Sequence, residues 1–354
     1  MQEIKSKGYS IFIGNRSLYK LDQLIKSSQY SRIFILCDEN TFTHCLPELL
    51  YKCPSLHESE LLEIESGEES KSLAICNDLL KSLSESKADR KSLLLNLGGG
   101  VIGDLGGFTA SIYQRGIDFI QVPTTLLAMA DSSVGGKTGV DLDGIKNQVG
   151  TFSNPKGVFI FFGFLHTLNH RELISGFAEI IKVALISDVK LFDSLSRTKS
   201  INSNSVVKFI ERSVLIKNGI VESDPNEKSI RRSLNFGHTI GHALESYFLS
   251  TTNHLLHGEA VALGMLAESF ISLKMGMISP VEFKKVESLL QKFYKNQNLP
   301  IPNEQKIFDL LKHDKKIESD KLNFTLLKGI GKSKINCLVS DELISESLNY
   351  LWTE

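Results

Sequence analysis

The chain has 354 residues, 42% of them hydrophobic and 23% charged, with 40 Lys and Arg against 41 Asp and Glu. That length exceeds one ordinary core and fits two domains, and a net charge of −1 offers no global field for nucleic acid or an anionic membrane surface. The five cysteines (Cys37, Cys45, Cys53, Cys76 and Cys337) form no CxxC pair, which argues against a disulfide framework or thiolate zinc site and for a reduced, cytoplasmic protein.

The opening, MQEIKSKGYSIFIG, reads as a short polar lead into a strand and lacks the apolar run of a signal peptide. No segment reaches the ~18 consecutive apolar residues of a membrane span. Residues 11–14 and 32–37 are short β-branched or apolar runs closed by turn residues, so both read as strands. The second ends in Asp38, Glu39 and Asn40, polar groups at a strand's carboxyl end, where open α/β sheets bind ligands. Residues 61–64 form a weaker strand, followed by an amphipathic helix over 73–83. Residues 92–97 are an apolar strand running straight into Gly98. Residues 119–122 are another, stopped by Pro123, Thr124 and Thr125, and 158–162 the last. Strands alternating with helices predict an α/β domain with a largely parallel sheet.

Helical periodicity then takes over, at 172–186, 205–221, 236–249, 259–273, 281–295 and 304–312. Residues 322–327 and 335–339, separated by Lys328-Gly329-Ile330-Gly331, read as a hairpin. The expected division is an α/β domain over 1–165 and a mainly α-helical domain over 166–354.

Eleven of the 26 glycines fall in residues 98–147, roughly three times the ordinary density. Such crowding predicts main chain closely approached by a ligand, and the sparse cations there (Arg115, Lys137 and Lys146) predict a phosphorylated one. Gly98, Gly100 and Gly103 satisfy G-x-G-x-x-G directly after a strand, where turn and helix amides face a pyrophosphate. The acid expected ~20 residues later is Asp118, but it precedes a strand instead of ending one, so Asp38 is the better ribose or adenine partner.

Four of the nine histidines lie between His238 and His257. His238 and His242 share a helix face, and HTIGH lacks the glutamate of a zincin protease. His257 opens the next helix, and Glu179 in FAEIIK offers a fourth donor, so the cluster predicts a metal with the choice among its histidines open. Lys182 lies three residues after Glu179 on the same apolar helix face.

GGGVIGDLGGF, YQRG, QVPTTLL, DSSVGGKTGVD, the Lys146-Asn147 pair, FAEIIK, LNFGHTIGHALE, LHGEAVALGM and HDKK together resemble, in this order, the motifs of the 3-dehydroquinate synthase family, part of the sugar-phosphate cyclases. The resemblance implies a nucleotide-binding α/β domain, a helical metal-binding domain, bound NAD and a divalent ion, usually zinc, with cobalt an alternative. It implies conversion of 3-deoxy-D-arabino-heptulosonate 7-phosphate to 3-dehydroquinate by transient oxidation at C5, β-elimination of phosphate, re-reduction and intramolecular aldol closure.

Carried over residue by residue, the resemblance makes Glu179, His238 and His257 the metal ligands and His242 a polar neighbour of the substrate. It matches Lys137, Lys146, Asn147, Lys182, Lys217, Arg231 and Asn235 to substrate-binding positions. Asp131 matches a carboxylate near the reacting hydroxyl, and Lys315 or Lys316 of HDKK meets the substrate. Arg115 matches a phosphate contact from a neighbouring subunit, which implies a homodimer. Asp38, Asn40, Glu68, Lys71, Gly100, Val101, Ile102, Gly103, Asp104, Thr124, Thr125, Phe164 and Thr167 match the nucleotide side, where Lys137 and Lys146 also count.

The family pattern usually has aspartates at Phe161 and Gly163, lysine at His166, Ala-Glu at Asn218-Gly219 and glutamate at Pro225. None of these departures removes a metal ligand or a substrate cation. A sugar-phosphate cyclase of another substrate would change residues around the substrate carboxylate, and Arg231, Asn235 and His242 together favour a dehydroquinate synthase. A metal-dependent polyol dehydrogenase of the glycerol dehydrogenase type would need no Arg115, Lys146 and Lys182 set. An inactive nucleotide-binding homologue would have lost a ligand or key lysine.

Overall fold

A computed structural model describes residues 1–142, 145–249, 251–294, 299–314 and 322–352. They form two compact units, Met1–Leu173 with Asn202–Asn218, and Ile174–Ile201 with Gly219–Glu354. Asn202–Asn218, from the helical half of the sequence, therefore packs with the α/β half.

In chain order the first part runs β1 (Gln2–Ser6), β2 (Tyr9–Ile13), α1 (Ser17–Ser27), β3 (Ile33–Asp38), α2 (Glu39–His44), α3 (Leu46–Lys52) and β4 (Glu60–Ile64). It continues with α4 (Leu73–Glu85), β5 (Leu93–Gly98), α5 (Gly100–Ile112), β6 (Asp118–Pro123), β7 (Lys137–Leu142), β8 (Ile145–Phe152) and β9 (Gly157–Ile160). Seven strands form one sheet in the order β1-β2-β9-β6-β5-β3-β4. Every neighbour pair is parallel except the β1–β2 hairpin. Burial explains the order: all six residues of β5 are buried, as a central strand covered on both faces requires, whereas edge strand β4 is nowhere fully buried.

The stretch read as a polar lead into a strand is itself strand β1; its Gln2–Ser6 residues pair antiparallel with β2. The sequence reading also passed over the β7–β8 hairpin, because both strands carry glycines. Gly139 faces Gly150 in the register, and a Cβ on either would come within 2.6 Å or 2.4 Å of a carbonyl oxygen opposite. Within α5, a Cβ at Gly106 would stand 2.0 Å from Asn96 Oδ1, and one at Gly107 2.5 Å from Thr138 Cγ2. Much of the glycine crowding thus serves protein-to-protein approach, letting α5 lie on β5 and β7 around Phe34, Leu36, Leu94, Leu105 and Val140.

The helical part comprises α6 (His170–Ser187), α7 (Val189–Arg197), α8 (Ser203–Ser223), α9 (His238–Leu249), α10 (His257–Lys274), α11 (Pro280–Tyr294) and α12 (Glu304–Asp314). It ends with β10 (Leu322–Leu327), β11 (Ser333–Val339) and α13 (Asp341–Leu351). Lys295, the expected last residue of one helix, lies outside the described residues. β10 and β11 form the expected antiparallel hairpin. The second unit's core gathers Ile240, Leu244 and Phe248 of α9, Ala267 and Ile271 of α10, Phe324 and Leu326 of β10, and Ile344 and Leu348 of α13. Helices α9 and α10 meet almost backbone to backbone: a Cβ at Gly264 would stand 2.0 Å from Gly237 O. No helix among the described residues is long and apolar enough to cross a membrane.

Candidate active site

Apart from Lys137 and Lys146, which lie on the β7–β8 hairpin, the predicted nucleotide residues lie at or just past the carboxyl ends of five parallel strands. Asp38 and Asn40 follow β3, Glu68 and Lys71 follow β4, Gly100, Val101, Ile102, Gly103 and Asp104 form the first turn of α5 after β5, Thr124 and Thr125 follow β6, and Phe164 and Thr167 follow β9. This is the sheet edge where parallel α/β architectures bind ligands. No side chain caps α5 at Gly99, and uncapped first-turn amides are groups that an anion can satisfy. Asp38 also has local work: its carboxylate caps α2 by accepting from Thr41 N at 2.7 Å and Thr41 Oγ1 at 2.9 Å. Asp118, at the amino end of β6, pairs instead with Lys156 and Tyr30.

Four of these positions are tied together by charge. Lys71 Nζ lies 2.7 Å from Asp104 Oδ2 and donates to Asn147 Oδ1 at 2.6 Å, while Lys146 Nζ is 3.1 Å from Glu68 Oε1. Burial opposes a charge on Lys71, but the carboxylates of Asp104 and then Glu68 outweigh it and hold the ammonium above the usual lysine range. Asn147, at φ +55°, is kept in its left-handed conformation by Asp141, whose Oδ1 accepts Asn147 N–H at 2.7 Å. Lys217 is buried and reaches Asp131 Oδ2 at 2.7 Å and the Asp131 carbonyl at 2.8 Å. Asp131 itself sits in a one-turn π-helix, Ala128–Ser132, a local widening common at functional positions. Lys137 is exposed at the start of β7. Arg115 is exposed in a turn where Gln114 and Arg115 both have positive φ, 49° and 70°.

In the second unit, α6 supplies Glu179, α9 His238 and His242, and α10 His257. Glu179 is fully buried, and neither carboxylate oxygen accepts a hydrogen bond within ordinary limits. Its company is ionic: Lys182, one turn on, pairs with Oε2, and the Nε2 atoms of His238 and His257 each stand 3.7 Å from Oε1. Tetrahedral zinc with bonds of 2.0–2.2 Å has ligand-to-ligand edges of about 3.4 Å, so these two edges at Glu179 fit an ion after a small contraction. Both Nδ1 atoms are engaged elsewhere, 3.2 Å from Phe236 O and 3.1 Å from Glu245 Oε2, which turns both Nε2 atoms toward Glu179. His242 is close as well, since ligand atoms of His238, His242 and His257 lie within 4.8 Å of one another.

The electrostatics match a cation site. Burial would raise the Glu179 carboxyl, but Lys182 and His257 more than offset it and hold the group well below the usual carboxylate range. Burial would lower His257, yet Glu245 and Glu179 push it up to about 10, so the two carboxylates favour a cation at this ring and a metal ion binding there displaces the Nε2 proton. Burial, reinforced by Lys182, drives His238 well below its ordinary value, which favours the neutral imidazole that ligation needs.

The turn into α9 carries Arg231 and Asn235. Arg231 is buried and donates from Nη1 to Pro225 O at 2.6 Å, and Asn235 Nδ2 donates to Glu227 Oε1 at 3.0 Å. Asp224 holds this turn by accepting N–H groups of Lys228, Ser229 and Arg231 at 3.0, 2.6 and 3.1 Å. Of the other departures from the pattern, Phe161 packs edge-on against Phe164 at 5.1 Å, His166 contacts Ser203, and Asn218 donates to Lys5 O. Lys315 and Lys316 lie outside the described residues.

The sequence reading did not single out Asp141, Asp224, Glu227, Glu245 or Glu268. Only Glu245 had a readable signal, standing seven residues after His238 on the same helix face.

Two sequence-family patterns match the chain, "3-dehydroquinate synthase N-terminal" over residues 61–175 and "3-dehydroquinate synthase C-terminal" over residues 176–317. The 3-dehydroquinate synthase of Parabacteroides distasonis is 40% identical over 333 residues, covering 94% of each chain. Among solved structures, a 2-deoxy-scyllo-inosose synthase complexed with carbaglucose-6-phosphate, NAD+ and Co2+ superposes with TM-score 0.89 at 26% identity, covering 99% of this chain and 100% of that one. A 2-epi-5-epi-valiolone synthase from Streptomyces hygroscopicus with NAD+ and Zn2+ bound gives TM-score 0.85 at 27% identity, covering 99% and 98%.

Proposed function

The chain belongs to the 3-dehydroquinate synthase family, and on that premise we propose that it converts 3-deoxy-D-arabino-heptulosonate 7-phosphate to 3-dehydroquinate and phosphate. The observation that carries the reading is the donor set Glu179, His238 and His257, with two edges of 3.7 Å, in a chain that also keeps Arg231, Asn235 and His242. When bound, NAD supplies reversible hydride acceptance at the substrate's C5, and a divalent ion, zinc or cobalt, supplies Lewis acidity toward its hydroxyls.

Residues 1–165 serve as the nucleotide-binding part and 166–354 as the mainly metal- and substrate-binding part. The free first-turn amides of α5 meet the pyrophosphate, with Asp38, Asn40, Glu68, Lys71, Thr124, Thr125, Phe164 and Thr167 around the rest of the dinucleotide. Glu179, His238 and His257 hold the ion, and His242 lies beside the substrate. Lys137, Lys146, Asn147, Lys182, Lys217, Arg231, Asn235 and one of Lys315 and Lys316 meet the substrate's phosphate, carboxylate and hydroxyls, with Arg231 suited to a bidentate carboxylate contact. Asp131 stands near the hydroxyl that is oxidised, and Lys217 keeps it in position. The departing phosphate takes the proton lost in the elimination, so no separate base is assigned. The working form is a cytoplasmic homodimer in which the exposed Arg115 reaches the phosphate of the neighbouring subunit.

The likeness to 2-deoxy-scyllo-inosose and valiolone synthases favours one second reading, a cyclase of another sugar phosphate. Both readings meet the same assay. Metal-loaded protein with NAD+ and the heptulosonate phosphate should release phosphate and dehydroquinate in equal amounts with no net NADH. Net NADH, or no turnover of this substrate, would overturn the assignment.

A further inference from the structure

We propose that Glu245 is the positioning residue of the metal site: its carboxylate fixes the tautomer and rotation of His257 so that Nε2 faces Glu179. The inference rests on the metal reading above. Glu245 lies inside α9, only 3% exposed, with Oε2 at 3.1 Å from His257 Nδ1. A carboxylate oxygen at this distance accepts from Nδ1–H, so the ring keeps its Nδ1 proton and an incoming ion displaces the one on Nε2, taking that lone pair. Burying a carboxylate in a helix-packing interface is costly unless it is paired, so a position that served packing alone would be better filled by an apolar side chain.

The placement is reciprocal. Helix α9 contributes His238 and, two turns on, the carboxylate that orients the histidine of α10. Helix α10 contributes His257 and, three turns on, Glu268, which is fully buried and accepts Gly237 N–H at 2.6 Å and Ile240 N–H at 3.2 Å. Those amides flank His238, whose Nδ1 is in turn held by Phe236 O at 3.2 Å. Each helix therefore pins the other's donor, and Glu245 is the arm that touches a donor ring directly. Glu245→Gln keeps size and packing but can present either an acceptor or a donor to Nδ1, which removes the tautomer preference.

The test is zinc affinity, measured by competition with a chromogenic chelator on the apoprotein, together with the visible spectrum of the Co2+ form. Glu179→Ala should abolish tight binding. Glu245→Gln should weaken zinc binding about 10- to 100-fold and change the Co2+ spectrum, with the unfolding midpoint of the apoprotein little changed. Should Glu245→Gln fold poorly, Glu245→Asp keeps the buried charge but retracts it by one methylene, and the same weakening is expected. If Glu179→Ala loses the metal while the Glu245 variants bind zinc within twofold of wild type, the positioning role is wrong and the metal site stands. If Glu179→Ala keeps the metal, both fail.

Discussion

Gly258→Ala should damage the metal centre although residue 258 donates nothing to it. A Cβ there would stand 1.8 Å from Ser175 O and 2.5 Å from Ser175 C, backbone atoms of α6 that cannot swing aside. A carbon-to-carbonyl contact needs about 3.3 Å, so α6 and α10 must part by about 1.5 Å at this point. The separation also breaks the hydrogen bond from Gly258 N to Ser175 Oγ, 3.0 Å long. Ser175 lies one helical turn before Glu179, and Gly258 follows His257, so the displacement acts directly on the 3.7 Å gap between those two donors. Working sites tolerate about 0.5 Å of misplacement, a third of what the methyl group demands. Overpacking of this kind costs about 1–3 kcal/mol of stability. Zinc affinity should fall about 10- to 100-fold, read by chelator competition, with kcat/KM falling in step at limiting metal. A Gly258→Ala protein with wild-type zinc affinity and turnover would refute the argument that this helix contact sets the donor spacing.

Asp224→Asn should raise KM for the substrate and leave zinc affinity unchanged, because three backbone N–H groups that shape the turn before Arg231 converge on that carboxylate; unchanged steady-state kinetics would discard it as a positioning group. Glu287, in α11, is partly desolvated, which raises its carboxyl, but Lys284 and Tyr350 outweigh this and hold it below the usual range. A depressed carboxyl stabilises the fold above its unfolded value of about 4.3 and loses that contribution as pH falls through the folded value. Thermal midpoints of Glu287→Gln should therefore fall less steeply than wild type on acidification below about pH 4.5, and parallel curves would contradict the assignment. Burial pushes the thiols of Cys37, Cys45 and Cys53 up to about 12 and raises those of Cys76 and Cys337, so native protein at pH 8 should resist a thiol reagent that titrates all five after unfolding. Rapid labelling of any of them in the native state would contradict their burial.

Information carried by neighbours along the chain was readable in advance. The apolar run at 92–97 gave a buried central strand, and the i,i+4 spacing of His238 and His242 put both on one helix face, because period and burial are properties of a single element. The order of motifs along the chain likewise pointed to the family before any fold was in view. What remained open were quantities that depend on where separate elements meet. Spacing alone could not say how near Glu179 and His242 come to His238 and His257; packing of α6, α9 and α10 brings both close, with Glu179 Oε1 3.7 Å from the two Nε2 atoms and the ligand atoms of the three histidines within 4.8 Å of one another. Nor could composition distinguish glycines that face a ligand from Gly106, Gly107, Gly139 and Gly150, which make room for another strand or side chain. The same holds for Asn202–Asn218, helical by pattern yet packed with the α/β unit, and for Glu245 and Glu268, ordinary acids in sequence until two helices close around them. Periodicity records which face of an element is buried, but the partner it is buried against is chosen by packing between residues far apart in the chain.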